Sequence, residues 1–173
     1  MLTERLALVS LPEGAMRDLV AGRTASTERR LRIRLPDDFA QRAHGLLQVR
    51  LRDVARDRGA RPWLLRLVAL RDGDPRTAVG LIGFHGRADE RGRAEVGYEI
   101  FEPFRRQRYA REAVAGLLGW ATRRYGVRTF LAAIAPDNEP SMRLVLGMGF
   151  KQVGVQVDEE DGLELVYELD RSA

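Results

Sequence analysis

The chain has 173 residues, 45% hydrophobic and 31% charged, a balance that fits one globular domain over residues 1–173 with its own buried core. It has no cysteine and two histidines, His44 and His85, which excludes disulfides, thiolate catalysis and Cys-ligated metal and speaks against a His-rich metal site. A net charge of +4 suits an anionic ligand. With no run of about 18 apolar residues and no secretory pattern at Met1-Leu2-Thr3-Glu4-Arg5-Leu6, a cytoplasmic chain without a membrane partner is expected.

Leu6, Leu8, Val9 and Leu11 predict a first strand ending at Pro12, then a short helix over Glu13–Val20 stopped by Gly22. The stretch 23–35 is polar and reads as irregular. Its densest run, Arg29-Arg30-Leu31-Arg32-Ile33-Arg34, lacks the interleaved aromatics of a nucleic-acid surface. It is read as a half-buried extended segment or a solvated loop. Lys151 is the only lysine among 29 basic residues, so arginine is this chain's default cation and no single Arg signals recognition.

Pro36-Asp37-Asp38 predicts the start of a helix with the apolar stripe Leu47, Leu51 and Val54, closed by Gly59 and Pro62. Strands follow at Trp63–Leu70 and Ala78–His85, joined by the turn Asp72-Gly73-Asp74-Pro75 and so antiparallel. After a loop at Arg87–Arg91, a third strand carries Val96, Tyr98 and Ile100 up to Pro103. From Tyr109 to Tyr125 the apolar spacing is helical, with Gly126 as C-cap. Thr129–Ala135 is a further strand, so this strand–helix–strand unit predicts a right-handed parallel crossover. Asn138 caps a last helix to about Met148, and Phe150–Val157 with Leu163–Leu169 predicts a hairpin around Asp161-Gly162. The class is α+β: a mixed, mostly antiparallel central sheet of about seven strands with helices on both faces.

The most informative segment is the turn into the long helix. A helix N-terminus presents unpaired N–H groups and partial positive charge, and here Arg105, Arg106 and Arg108 crowd it. That pattern fits a phosphate or pyrophosphate pocket, or, more simply, a strand-to-helix connection with solvated arginines.

Two motifs together resemble the GNAT superfamily of acetyl-CoA-dependent N-acyltransferases, in particular the branch of the ribosomal-protein N-terminal acetyltransferases. Phe101-x-Pro103-x-Arg105-Arg106-Gln107-Arg108-Tyr109-Ala110 is similar to that family's coenzyme signature, Arg/Gln-x-x-Gly-x-Gly/Ala. Pro136-Asp137-Asn138-Glu139-Pro140-Ser141, with Gly149-Phe150 eight residues on, is similar to its second coenzyme motif. The resemblance implies acetyl-CoA as co-substrate and no metal. It puts pantetheine in a gap between the strand carrying Ile100 and Phe101 and the strand carrying Ile134, and pyrophosphate on the N–H groups of residues 105–110. Asn138 and Ser141 would touch the coenzyme, and a small-molecule or peptide amine would attack the thioester directly. A homodimer fits the habit of relatives. The family's signature glycine falls on Arg108, whose guanidinium either pairs with a phosphate or crowds the site.

For the general base, Glu95 holds the place of a catalytic glutamate in some members, and Glu99 shares its strand face. Both are otherwise ordinary solvent-facing charges. His85 is a rival base, with a packed or capping role as its alternative. The family's hydroxyl donor to the leaving thiolate falls on Val145, which leaves Ser141 for that role. Tyr98, Trp63, Phe84 and Phe104 read as core or pocket wall, and the region before residue 60 would shape the acceptor pocket. The alternative function is a GNAT-fold acyl-CoA-binding or regulatory module without turnover.

Overall fold

Continuous burial over residues 66–69 and 78–84 decides the architecture, because strands buried on both faces must be covered twice. The computed structural model describes residues 1–158 and 162–172. In chain order its elements are β1 (Leu6–Ser10), α1 (Glu13–Val20), α2 (Thr24–Leu31), β2 (Ile33–Arg34), α3 (Phe39–Arg42), α4 (His44–Arg56), β3 (Arg66–Gly73), β4 (Arg76–Phe84), β5 (Arg93–Ile100), α5 (Tyr109–Tyr125), β6 (Thr129–Ile134), α6 (Glu139–Gly147), β7 (Lys151–Asp158) and β8 (Gly162–Asp170). The sheet runs β1-β3-β4-β5-β6-β8-β7, with β2 parallel against β4. On one face Leu117 and Leu118 of α5 share a core with Phe84 and Phe130 of the sheet; on the other, Leu19 of α1, Phe39 of α3 and Leu47 of α4 share one with Leu67 and Leu81. The mixed, mostly antiparallel α+β sheet with helices on both faces is thus observed, with an eighth strand added by the short β2.

Several boundaries differ from the sequence reading. The stretch 23–35 is not irregular: it holds α2, ended by Arg32 in the left-handed region (φ 53°), and then β2. No apolar stripe announced that helix. Thr27 is buried with its hydroxyl on the Ala15 carbonyl at 3.3 Å, Glu28 accepts the Leu35 N–H at 2.8 Å, and Arg32 pairs with Asp74. These are tertiary contacts, which local propensity does not encode. The helix expected from Pro36 is two helices, α3 and α4, separated at Ala43. β3 begins at Arg66 rather than Trp63, and Trp63, Leu64 and Leu65 are buried ahead of the strand. Buried Arg66 donates to the Leu64 and Pro62 carbonyls and lies 4.4 Å over Trp120; desolvation lowers its pKa to about 10. Asp161 of the expected hairpin turn lies outside the described residues, although β7 and β8 pair antiparallel as expected.

β4 and β5 approach each other very closely at the end of their ladder. A Cβ on Gly80 would stand 2.2 Å from the Glu99 carbonyl oxygen, which no relaxation of a side chain can relieve. Gly80→Ala is therefore expected to destabilise the chain by about 1–3 kcal/mol, read as a lowered denaturation midpoint at unchanged m-value.

Candidate active site

The central strands part company. β5 runs parallel to β6 only over Arg93–Glu95, opposite Thr129–Leu131. Beyond Glu95, β5 continues paired to β4 alone as far as Ile100, while β6 continues paired to β8 alone as far as Ile134. Glycines sit at the fork, Gly97 directly opposite Gly83, and the absence of side chains at that pair lets the strand bend away.

Past the fork the chain makes a short 3₁₀ turn at Glu102–Phe104 and enters α5 through two left-handed residues, Arg106 and Arg108, both at φ 63°. The first main-chain bond at the start of α5 is Glu112 N–H to the Arg108 carbonyl at 3.2 Å, and no side chain caps the helix. Among the described residues, the N–H groups of residues 106–111 therefore have no acceptor. Six open donors beside a helix N-terminus, with left-handed residues curling the loop, form a nest for an anion. Arg108, in the place of the signature glycine, adopts the backbone conformation that glycine takes most cheaply.

The loop is held from outside by a strut that sequence reading missed. Glu112, in the first turn of α5, accepts from Thr3 Oγ1 at 2.6 Å and from Arg5 N and Nε, both at 2.7 Å. Burial pushes the Glu112 carboxyl up, but the Thr3 and Arg5 bonds outweigh it and hold the pKa below the ordinary value. Arg5 also donates to the Gln107 carbonyl at 3.1 Å and lies 4.8 Å over the Tyr109 ring. The partners lie more than 100 residues apart, and no local pattern marks them.

Past the fork, between the end of β5 and the start of α6, lies a cleft of about 670 Å³. Ile100, Arg105, Arg106, Arg108, Tyr109 and Ala110 form its floor and one wall, and Asn138 and Ser141 come to it from the start of α6. Asn138 Oδ1 caps α6 by accepting the Ser141 N–H at 3.2 Å. Arg105 Nε donates to the Ile100 carbonyl at 3.0 Å. Two of the residues expected to bind the coenzyme are not brought into the cleft. Phe101 is buried on the opposite face against Phe39, and Gln107 offers its carbonyl to Arg5. Val145 is fully buried.

A second, smaller cavity of about 170 Å³ lies on the α4 side, lined by Leu46, Arg50, His85 and Gly97 among others. Tyr98 and Glu99 line both cavities, one on each side of β5. The hydroxyl of Tyr98 is buried with no hydrogen-bond partner. Burial raises its pKa, partly offset by the facing Ser141 hydroxyl, so it remains a proton donor at neutral pH. Glu99 is ion-paired with Arg42 at 2.6 Å. Glu95 lines neither cavity; its carboxylate stands 3.2 Å from His85 Nδ1. Glu95 and Glu99 do share a face, the β4–β5 ladder being free of bulges. Among the described residues no group of three or more His, Cys, Asp or Glu is placed to hold a metal ion, and no helix is long and apolar enough to cross a membrane.

Residues 5–151 match the model of the acetyltransferase (GNAT) domain. The chain belongs to this family. YoaA of Bacillus subtilis (strain 168), an uncharacterized N-acetyltransferase, is 38% identical over 82 residues, 47% of this chain and 46% of YoaA; the chain spans about half the length of the curated relatives it matches. Among solved structures, a GNAT-family acetyltransferase from Bacillus anthracis superposes with a TM-score of 0.66 at 16% identity, covering 100% of this chain and 99% of that one. RimL, a ribosomal L7/L12 α-N-protein acetyltransferase in complex with coenzyme A, gives 0.65 at 16% identity, covering 98% of this chain and 96% of that one. At these identities the structures establish a shared GNAT fold.

Left-handed backbone costs a non-glycine residue roughly 1–2 kcal/mol, whereas glycine adds roughly 0.5–1 kcal/mol of unfolded-chain entropy. Arg108→Gly is accordingly expected to raise the unfolding free energy of the unliganded chain by about 0.5–1 kcal/mol, measurable by denaturant titration.

Proposed function

We propose that this chain transfers an acetyl group from acetyl-CoA to a primary amine on a small molecule or a peptide. The observation that carries this reading is the cleft past the fork, between the end of β5 and the start of α6, which is lined by the entry turn of α5 with its unpartnered amides and three arginines. A coenzyme diphosphate needs many donors and positive charge at one place, and the turn 105–111 supplies both. The unpaired edges of β5 and β6 suit the amide groups of a pantetheine arm, which otherwise lose their water partners on burial. Family membership supports the same co-substrate, and RimL is a neighbour solved with coenzyme A.

Within that reading, Arg106 and Arg108 neutralise phosphate charge, and Asn138 and Ser141 border the cleft from α6. Acetyl-CoA supplies an activated acyl carbon with a thiolate leaving group. Tyr98 lines both cavities, with a buried hydroxyl that faces Ser141 and that burial keeps protonated. It is the donor best suited to protonate the departing sulfur, with Ser141 beside it. Tyrosine thereby takes up, from the strand, the role for which α6 offers only buried Val145. Glu99, on the wall shared by both cavities, presents negative charge to an incoming ammonium.

Saturation with acetyl-CoA is expected to raise the thermal midpoint, since ligand at 100 times its Kd stabilises by about 2.7 kcal/mol; no shift would remove the coenzyme site. Thiol release with a panel of primary amines then separates an enzyme from a binding module, because binding without any acetylation sinks the transferase reading. Arg108→Gly is expected to weaken acetyl-CoA binding about tenfold, the loss of one charge-assisted contact of about 1.5 kcal/mol, despite the more stable apo chain. Tyr98→Phe is expected to lower kcat about 100-fold at unchanged coenzyme Kd.

A further inference from the structure

We infer that Glu112 and Arg5 are positioning residues for the coenzyme diphosphate: from behind the nest they aim its N–H groups, and so set coenzyme affinity without touching the ligand. This inference rests on the coenzyme site proposed above. Neither residue lines the cleft, and neither does Gln107. Arg5 Nη1 donates to the Gln107 carbonyl at 3.1 Å. That carbonyl and the Arg108 N–H belong to one planar peptide unit, which is trans. In a trans unit the two groups point in opposite directions. Fixing the oxygen from outside therefore aims the N–H toward the cleft side of the turn. A bonded carbonyl also makes the N–H of its own peptide a stronger donor.

Arg5 keeps this position because Glu112 holds it. Glu112 Oε1 accepts the Arg5 main-chain N–H at 2.7 Å and the Thr3 hydroxyl at 2.6 Å, and Oε2 accepts Arg5 Nε at 2.7 Å. Main chain and guanidinium are thus gripped by one carboxylate, which restricts the direction the side chain takes. The guanidinium also lies 4.8 Å over the ring of Tyr109, a residue of the cleft wall. The anchoring segment is itself tied down. Residues 1–8 fold back on themselves, with the Thr3 N–H on the Leu6 carbonyl at 2.9 Å, the Leu8 N–H on the Met1 carbonyl at 2.8 Å, and a bridge between Leu2 and Ala7. Leu6–Ser10 then pairs with β3 in the sheet. Thr3 also presses on α5: a Cβ at Gly116, one turn past Glu112, would stand 2.7 Å from Thr3 Cγ2.

The charges are consistent with this role. An unpaired carboxylate in the first turn of α5 would repel a diphosphate bound at the same helix end. Paired with Arg5, Glu112 adds no net charge beside the site and still complements the helix dipole.

The test uses the full chain, with coenzyme A as titrant and acetyl-CoA plus the best amine of the panel for kinetics. Thr3→Val removes the hydroxyl and keeps the shape; Glu112→Gln removes the charge and keeps the shape. Each is expected to raise the coenzyme A Kd about tenfold, whereas Thr3→Ser stays within twofold of wild type. Arg5→Gln is expected to lose more than Glu112→Gln, because it leaves a charged carboxylate unpaired near the diphosphate. In each weakened variant the loss should fall on the acetyl-CoA KM, with the amine KM and kcat at saturation within threefold. Asp89 supplies a matched control. Its carboxylate likewise accepts two main-chain N–H groups, those of Arg91 and Arg93, and Arg93 Nε, all at 2.9 Å, but in the loop before β5. Asp89→Asn should lower stability and leave the coenzyme A Kd unchanged. Thr3→Val and Glu112→Gln chains that bind coenzyme A within twofold of wild type overturn the inference, as does an Asp89→Asn chain that loses as much affinity as they do. Should Glu112→Gln fail to fold, Thr3→Val decides alone. A wild type that binds no coenzyme A sinks instead the coenzyme site itself.

Discussion

The structure depends on the parting of β5 from β6 after Glu95. A strand inside a sheet normally spends its main-chain donors and acceptors on both neighbours. Here β5 keeps β4 and gives up β6, while β6 keeps β8. Burying unpaired backbone costs free energy, so the arrangement is stable only because the gap faces an open cleft. What the sheet leaves unsatisfied there, a ligand with its own amides can satisfy. The bend is allowed by small residues: Gly83 opposite Gly97, and Gly80 pressed against the Glu99 carbonyl.

The same logic extends to the turn that follows. Arg106 and Arg108 accept left-handed backbone at a cost that glycine would avoid, and six N–H groups of residues 106–111 point at no protein acceptor. A loop with this much unpaired polarity needs support from elsewhere. It comes from the first residues of the chain, where Thr3 and Arg5 converge on Glu112 and Arg5 also grips the Gln107 carbonyl. The edge of the sheet thus sets the position of the helix N-terminus, and through it the shape of the larger cleft.

Two cavities lie on opposite faces of β5 beside the fork. Alternating side chains send Tyr98 toward the α5 face and Glu99 toward the α4 face, yet at the end of the ladder both reach the gap. The buried Tyr98 hydroxyl and the His85 imidazole, 3.2 Å from the Glu95 carboxylate, lie on the two sides of one strand.

Much of this was legible in the chain itself. Glu13–Val20 and Tyr109–Tyr125 were read with their observed bounds, because Pro12, Gly22 and Gly126 punctuate them and an apolar stripe fills them. The coenzyme-like motifs were visible because a loop that presents backbone to an anion is built from consecutive residues. Helix α2 was not visible, since its support comes from Ala15, Leu35 and Asp74 rather than from its own pattern. Sequence alone determined the α+β class, the arginine-rich helix entry and the family. Only the tertiary structure decided that Phe101 faces the far core, that Tyr98 stands between two cavities, and that Glu95 turns to His85 instead of the cleft. Those outcomes depend on which strand each backbone group chooses as its neighbour, and that choice is made by packing between residues far apart in the chain.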